Sequence, residues 1–106
     1  MITTIEQLMR EVDDFAAERN WEKFHTPKNL AMSIAIEAGE LMEIFQWLTP
    51  DESGRVAGDA SELARVEGEI ADILIYLARL CSVLSVDPIA VATSKLEANR
   101  SRQWPR

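Results

Sequence analysis

Apolar residues recur at steps of three and four positions along most of this chain, which is the period of an amphipathic helix. The first such stripe starts at Ile5 and returns at Leu8, Val12 and Phe15. The same pattern predicts four helices, over residues 5–16, about 28–48, about 60–84 and 88–102. No segment alternates apolar and polar residues as a half-buried strand does. The pattern therefore predicts an all-α fold.

Helix-ending residues separate the four segments. Thr3 or Thr4 is placed to cap the first helix, and Pro27 prevents the first helix from continuing into the second. The polar stretch 51–60 contains two glycines, and we expect it to be a mobile connection or a short irregular helix. Asp87 is placed to cap the last helix, and Pro88 suits its first position. The result is a four-helix-bundle-like arrangement.

The 106 residues fit one domain, residues 1–106. A monomer of this size buries only about 65% of its unfolded surface. The third helix has an apolar face wider than a one-sided surface helix needs, so we expect it to be central and covered by several neighbours. Small size and a broad apolar face together favour a homo-oligomer.

Charge and composition exclude several classes of function. The net charge of −7 argues against a nucleic-acid-binding surface, which would be basic. No apolar run approaches the roughly 20 residues that span a bilayer, and the first residues lack the features of a signal peptide. Cys81 stands among apolar residues and is interpreted as a buried thiol. We expect a cytoplasmic protein without a membrane or nucleic-acid partner.

Two acidic motifs carry the candidate chemistry. Glu37-x-x-Glu40 lies on the second predicted helix and Glu69-x-x-Asp72 on the third, and each spacing puts both carboxylates on one side of its helix. Like charges at this spacing repel, yet both motifs are framed by apolar residues. If the two helices bring the four acids together, a hard cation would offset the repulsion. The alternative is that both motifs are solvated surface charge.

The ligand chemistry favours Mg²⁺, with Mn²⁺ as a possible substitute, because all four candidate ligands are oxygen donors. A di-iron bundle site needs Glu-x-x-His pairs, and the single histidine, His25, lies before the second helix. Zinc is poorly served by one cysteine and one histidine far apart. Gly39, in the middle of the second helix, would permit a close approach by a helix or a ligand.

Aromatic and basic residues near these motifs suggest a nucleotide as ligand. Trp21 and Trp47 flank the first motif in sequence and can stack on a base, although a core or interface position is equally compatible with each. Tyr76 follows Asp72 by four residues and shares its face of the helix. A polar stripe on the last helix could meet phosphate oxygens or simply offset the helix dipole; its members are Lys95, Asn99 and Arg102.

These residues resemble the MazG-like nucleotide pyrophosphohydrolases, and among them the dCTP pyrophosphatase branch is most similar. The resemblance extends from about residue 5 to about residue 104, and its most specific part is the pair of acidic motifs separated by residues 41–68. It implies cleavage of a nucleoside triphosphate between the α- and β-phosphates. It also implies that Mg²⁺ is held by four acids, which here are Glu37, Glu40, Glu69 and Asp72.

The resemblance further implies an α-helical bundle that forms dimers or tetramers with sites between chains. In this sequence the nucleotide pocket would be lined by Trp21, Trp47 and Tyr76. Phosphates or sugar would be approached by His25, Lys28, Lys95, Asn99 and Arg102. Pool cleaning of a pyrimidine deoxynucleotide or a non-standard analogue is the expected role.

Two positions depart from the pattern of the family. Ile36 stands where many relatives have a further glutamate, and Val12 falls near a polar, histidine-like position of the dCTP-type proteins, which puts cytosine specificity in doubt. Two other functions fit the sequence. One is a helical interaction module without enzymatic activity, and the other is a pyrophosphohydrolase acting on a different pyrophosphate-linked compound.

Overall fold

The computed structural model describes residues 1–102, and these residues form five α-helices and two short 3₁₀ turns. The first helix, α1, spans Ile5–Glu18. Thr4 caps it, since its hydroxyl accepts from the backbone N–H of Gln7 while the Gln7 side chain accepts from the backbone N–H of Thr4. Trp104, one of three tryptophans, lies outside the described residues.

The connection after α1 is tightly turned. Asn20 adopts a left-handed conformation with φ of 57°, and a 3₁₀ turn follows at Glu22–Phe24. The second helix, α2, spans Pro27–Phe45, and the Thr26 side chain caps it. The sequence pattern placed the end of this helix at about residue 48, which is wrong by three residues because residues 46–48 form a turn.

The predicted connection at residues 51–60 is helical. Helix α3 spans Pro50–Gly54, with Thr49 and Glu52 forming a second reciprocal cap, and a 3₁₀ turn follows at Val56–Gly58. Helix α4 spans Ala60–Leu84 and begins at Asp59, whose carboxylate accepts from two backbone N–H groups. It ends at Ser85, in the left-handed conformation.

The last helix, α5, spans Pro88–Arg100 and is capped by Asp87, as the sequence predicts. It leaves the axis of α4 at an angle of 100°. Helix α2 packs along α4, and α1 packs against α4 as well. The buried core is small and consists of Ala16, Leu30, Ile44, Val56, Val66 and Ala78.

Helix α4 is central but not covered. Its residues Ile70, Leu74, Leu77 and Leu84 are exposed. The other helices of the same chain therefore cover only part of the broad apolar face that we expected several neighbours to cover. Cys81 is half-buried rather than buried. The radius of gyration is 16.5 Å, against about 13 Å for a compact chain of this length.

Within residues 1–102, no individual helix combines the length and apolar character needed to cross a membrane. Helices α4 and α5 meet those requirements only when taken together as one bent pair.

Candidate functional site

Packing of α2 along α4 brings the two acidic motifs face to face. One carboxylate oxygen from each of Glu37, Glu40 and Glu69 lies within 4.8 Å of the other two. Asp72, one helical turn after Glu69, is outside that group of three but close enough that its charge raises the pKa of Glu37. Three of the four predicted ligands thus form a cluster, and the fourth adjoins it.

The acidic cluster, as we call Glu37, Glu40, Glu69 and Asp72, is electrostatically strained. The pKa of Glu37 is raised, first by a hydrogen bond with Glu69 and then by burial and by neighbouring negative charges. The pKa of Glu40 is raised as well, first by its hydrogen bond with Glu37. A proton shared between two such carboxylates lowers their repulsion.

Two oxygens of this cluster have no donor. The Oε2 atoms of Glu37 and Glu69 are buried from solvent and have no hydrogen-bond partner among the described residues. When both groups are ionised each is an acceptor only, so neither can satisfy the other. Buried acceptors without partners are costly. A cation is the kind of ligand that would satisfy both, and an all-oxygen donor set suits Mg²⁺ or Mn²⁺.

An aromatic cleft adjoins the acidic cluster. One cavity of about 310 Å³ is lined by Trp21, Phe24, His25, Asn29, Leu30, Ser33 and Tyr76. A second, of about 240 Å³, shares Trp21, His25 and Tyr76 with the first and also includes Asp72 in its wall. Because Asp72 belongs to both features, the cleft and the cluster form one continuous candidate site.

The connection between α1 and α2 builds one wall of the cleft. The Trp21 ring meets the Phe15 ring edge-on, with centroids 5.3 Å apart, and the centroid of the His25 ring lies 6.3 Å from that of Trp21. The Asn29 side chain donates to the Phe24 carbonyl at 3.0 Å, which ties this connection to the first turn of α2. Three of the predicted nucleotide-binding residues, Trp21, His25 and Tyr76, therefore lie together.

Five other predicted residues do not line these two cavities. Lys28 is exposed at the start of α2, and Trp47 follows the end of that helix with 86% of its surface exposed. The other three lie on α5 or just after it, where the chain turns away from α4; they are Lys95, Asn99 and Arg102. A methyl group in place of the Gly39 hydrogen would meet no described atom within 4 Å outside its own turns of helix, so no close approach within the chain explains this glycine.

The sequence interpretation missed Asp13 and Arg79. Arg79 is only 9% exposed, and it bonds Asp13 at 2.8 Å and His25 at 3.0 Å. An arginine within the apolar pattern of α4 is a signal that a partner exists, since a buried charge needs one. The identity of the partner could not be read from the sequence, because Asp13 lies 66 positions away.

Comparison with known proteins gives a consistent picture. A model of the MazG-like family matches residues 32–105, a range that contains both acidic motifs. The dCTP pyrophosphatase 1 of Homo sapiens is 45% identical over 100 residues, and that of Rattus norvegicus is 42% identical over 99. Each alignment covers 93% of this chain and 58% of the relative, so the chain spans well under two thirds of these curated relatives.

A solved structure agrees with the fold over its whole length. The crystal structure of a pyrophosphatase from Archaeoglobus fulgidus matches with a TM-score of 0.86 and 44% sequence identity. The match covers 100% of this chain and 96% of that one. The all-α fold and the resemblance noted from the sequence are both confirmed.

Proposed function

This chain belongs to the MazG-like family, and from that premise we propose that it is a Mg²⁺-dependent nucleoside triphosphate pyrophosphohydrolase. One observation carries the proposal: the acidic cluster and the aromatic cleft meet at Asp72. A metal-binding end and a base-binding end in one continuous site are what a nucleotide substrate requires. The names of the relatives, dCTP pyrophosphatase and pyrophosphatase, support the same reaction class.

The proposed reaction is a hydrolysis at the α-phosphate. A water oxygen attacks the α-phosphorus, the bond from that phosphorus to the α–β bridging oxygen breaks, and pyrophosphate leaves. The products are a nucleoside monophosphate and pyrophosphate, with one proton released. When bound, Mg²⁺ supplies positive charge that neutralises the phosphate oxygens. Its proposed ligands are Glu37, Glu40, Glu69 and Asp72. The buried Oε2 atoms of Glu37 and Glu69, which have no hydrogen-bond partner among the described residues, fit that role. Mn²⁺ would fit the same donors.

The cleft sets the proposed base preference. Trp21 and Tyr76 offer aromatic faces on which a base can stack, and His25 adds a polar edge. We propose a pyrimidine deoxynucleotide similar to dCTP, or a non-standard analogue, supported by the identity to the dCTP pyrophosphatases. Val12 lines the cleft as an apolar residue and offers no hydrogen bond to the base, so discrimination rests on the other walls.

We further propose that the active form is a homo-oligomer. The accessible surface of the chain is 8091 Å², whereas a compact monomer of 11.9 kDa exposes about 6,000 Å². Exposed large apolar side chains on α4 and α5 contribute to this surface. In an oligomer, a neighbouring copy would supply the nucleotide-binding residues that lie away from the cleft of their own chain, namely Trp47, Lys95, Asn99 and Arg102. Lys28 directly precedes Asn29, which lines the cleft, so we assign Lys28 to the site of its own chain.

Hydrolysis of an intracellular metabolite would place the protein in the cytoplasm, and no nucleic-acid or membrane partner is required for this activity. The test is a panel of canonical and modified nucleoside triphosphates, assayed with Mg²⁺ for pyrophosphate release. We expect release from at least one pyrimidine deoxynucleotide. Release from a nucleotide-sugar or another pyrophosphate-linked compound alone would reassign the substrate, and inactivity on every compound would favour the interaction module instead.

A further inference from the structure

A hydrogen-bonded chain of three side chains links α1, α4 and the connection that carries His25. The Nε–H of Arg79 donates to Nδ1 of His25 at 3.0 Å, and one terminal N–H donates to Asp13 at 2.8 Å. Arg79 is 9% exposed, and Asp13 is half-buried. We call these residues the Asp13–Arg79–His25 relay. It is separate from the acidic cluster, and the reaction described above makes no use of Arg79.

The donor in this relay determines where the histidine proton sits. An arginine guanidinium is permanently charged and has only donors. Nδ1 of His25 must therefore be the acceptor, and the proton of the neutral ring must be on Nε2. Burial and the charge of Arg79 both lower the pKa of His25, which agrees with a neutral ring. Asp13 balances the buried charge of Arg79, so the guanidinium is held in this orientation.

The free edge of the ring is available to a ligand. Nε2 of His25 has no hydrogen-bond partner among residues 1–102, and the ring lines both cavities of the cleft. The ionisable groups that share these walls with it are Asp72, Tyr76 and Arg79, all from α4, with Asp13 behind Arg79 on α1. The polar residues that α2 contributes to the first cavity are Asn29 and Ser33, and both are neutral.

We propose that Arg79, anchored by Asp13, is a positioning residue that locks His25 as the Nε2–H tautomer, so that this N–H donates to an acceptor atom on the base of the bound nucleotide. This rests on the proposed function for the identity of the ligand. The neutral Nε2–H of His25, beside Trp21, can donate a hydrogen bond to a carbonyl oxygen or a ring nitrogen of the base. A neutral imidazole is a weak ligand for phosphate, whereas the family resemblance implied phosphates or sugar as the partner of His25.

The tautomer is measured on the ligand-free protein. His25 is the only histidine of the chain, so its two ring nitrogens give unambiguous ¹⁵N NMR signals. At pH 7.5 we expect a protonated Nε2 and an unprotonated Nδ1 in the wild type, and a mixture of tautomers in Arg79→Met. Arg65→Met is the matched control, because Arg65 lies exposed on the same helix and pairs with Glu62. It should leave the tautomer unchanged.

Kinetics test the role of the donor. A neutral hydrogen bond is worth about 1 kcal/mol, so Arg79→Met should raise KM about fivefold with little change in kcat. Asp13→Asn should shift KM in the same direction by less, and Arg79→Lys should recover part of the loss. If Arg79→Met does not fold, as judged by circular dichroism, a second pair of variants replaces it. His25→Gln keeps an N–H near the Nε2 position and should raise KM less than His25→Asn, which does not.

An Nδ1–H tautomer in the wild type overturns the proposal. So does a folded Arg79→Met with wild-type tautomer and KM, or a His25→Asn with the same KM as His25→Gln. The tautomer is read without substrate, so failure here leaves wild-type pyrophosphate release unaffected. If the proposed function is wrong, the wild type hydrolyses no nucleotide, and no nucleotide shifts the Nε2 signal, even though His25 is the Nε2–H tautomer. That result overturns the role of His25 as a donor to a base.

Discussion

Single residues of the acidic cluster hold charge that the chain alone does not balance. One oxygen from each of three carboxylates lies within 4.8 Å of the other two, and two buried oxygens lack a donor within residues 1–102. Keeping such groups together lowers the free energy of unfolding of the ligand-free chain. Local destabilisation of this kind is common where a site is preorganised for a ligand. The sequence could predict this cluster because of the helical period. Two acids three positions apart lie on the same face of a helix, and this holds for the pair on α2 and for the pair on α4.

The metal response of the cluster is the first prediction. Saturating Mg²⁺, at about 100 times its Kd, should stabilise the wild type by about 2.7 kcal/mol through mass action. Glu40→Gln and Asp72→Asn should lose most of that gain and lower kcat by about 100-fold or more, since each removes a ligand charge. Thermal melting with and without Mg²⁺, together with steady-state kinetics, measures both effects.

The control for this prediction is Glu67→Gln, which removes an exposed carboxylate from the same helix as Asp72 but outside the cluster. It should keep both the Mg²⁺ response and the activity. Equal melting shifts with Mg²⁺ in all four proteins would contradict the assignment of the ligands.

The pH dependence of stability provides a second prediction. The folded-state pKa of His25 is below its ordinary value of about 6.5. The unfolded chain therefore binds more protons in the window just below pH 6.5, and stability falls as the pH falls through that window. Glu37 and Glu40, with raised pKa values, act in the opposite direction at lower pH. The difference between wild type and His25→Gln isolates the histidine.

We expect the wild-type melting temperature to decline from pH 7 to pH 5.5 more steeply than that of His25→Gln, with both measured in metal-free buffer. Parallel curves for the two proteins would show that His25 keeps its ordinary pKa in the folded state.

At the scale of helices and turns, capping residues fix where the site-bearing helices begin. The sequence predicted a cap at Thr3 or Thr4 and another at Asp87, and the structure has them at Thr4 and Asp87. Both are followed by helical patterns in the sequence. Helix α3 confirms the short helix that was one of the two alternatives for residues 51–60. The sequence could not choose between them, since Pro50–Gly54 is too short to show a period and depends on the reciprocal cap of Thr49 and Glu52. It extended α2 too far, because the apolar Leu48 packs on the core from a turn.

Helix α4 carries half of the acidic cluster, and its cap is the third prediction. The Asp59 carboxylate accepts from the backbone N–H groups of Ser61 and Glu62 at 3.1 and 3.2 Å. Asp59→Ala should lower the free energy of unfolding by about 1 kcal/mol. Asp59→Asn should recover most of that loss, and Asp14→Ala, on the exposed side of α1, serves as the control. Thermal melts at one protein concentration measure the change; a loss no larger than that of Asp14→Ala would contradict it.

The aromatic cleft could not be predicted from the helical patterns in the sequence. Trp21 and His25 lie in an irregular connection whose path depends on the turn at Asn20 and on the bond from Asn29 to Phe24. Their proximity to Tyr76 follows only from the packing of α1 and α2 on α4. For the same reason the pairing of Asp13 with Arg79 could not be predicted, although each residue is visible in the sequence.

For the molecule as a whole, exposed apolar surface is the main feature. Ile70, Leu74, Leu77 and Leu84 lie at steps of four, three and seven along α4 and form one exposed stripe. Such spacing is typical of a helix that packs on another helix. In a single chain this stripe is uncovered, which agrees with the large radius of gyration of 16.5 Å.

The fourth prediction concerns assembly. Light scattering coupled to size-exclusion chromatography should give a mass that is a multiple of 11.9 kDa. Leu77→Arg places a charge in the middle of the stripe and should reduce that mass or cause aggregation, because burying the unpaired charge is costly. Ala64→Arg, exposed on α4 outside the stripe, should leave the mass unchanged. A monomeric wild type would contradict the proposed assembly.

The claim on which the whole account depends is the position of the bond that is cut. Hydrolysis of dCTP with Mg²⁺ in water enriched in ¹⁸O, followed by ³¹P NMR, identifies both the products and the phosphorus that is attacked. We expect dCMP and pyrophosphate in equal amounts, with the label on dCMP. Release of orthophosphate, label on pyrophosphate, or no turnover of dCTP or any other nucleoside triphosphate would contradict it.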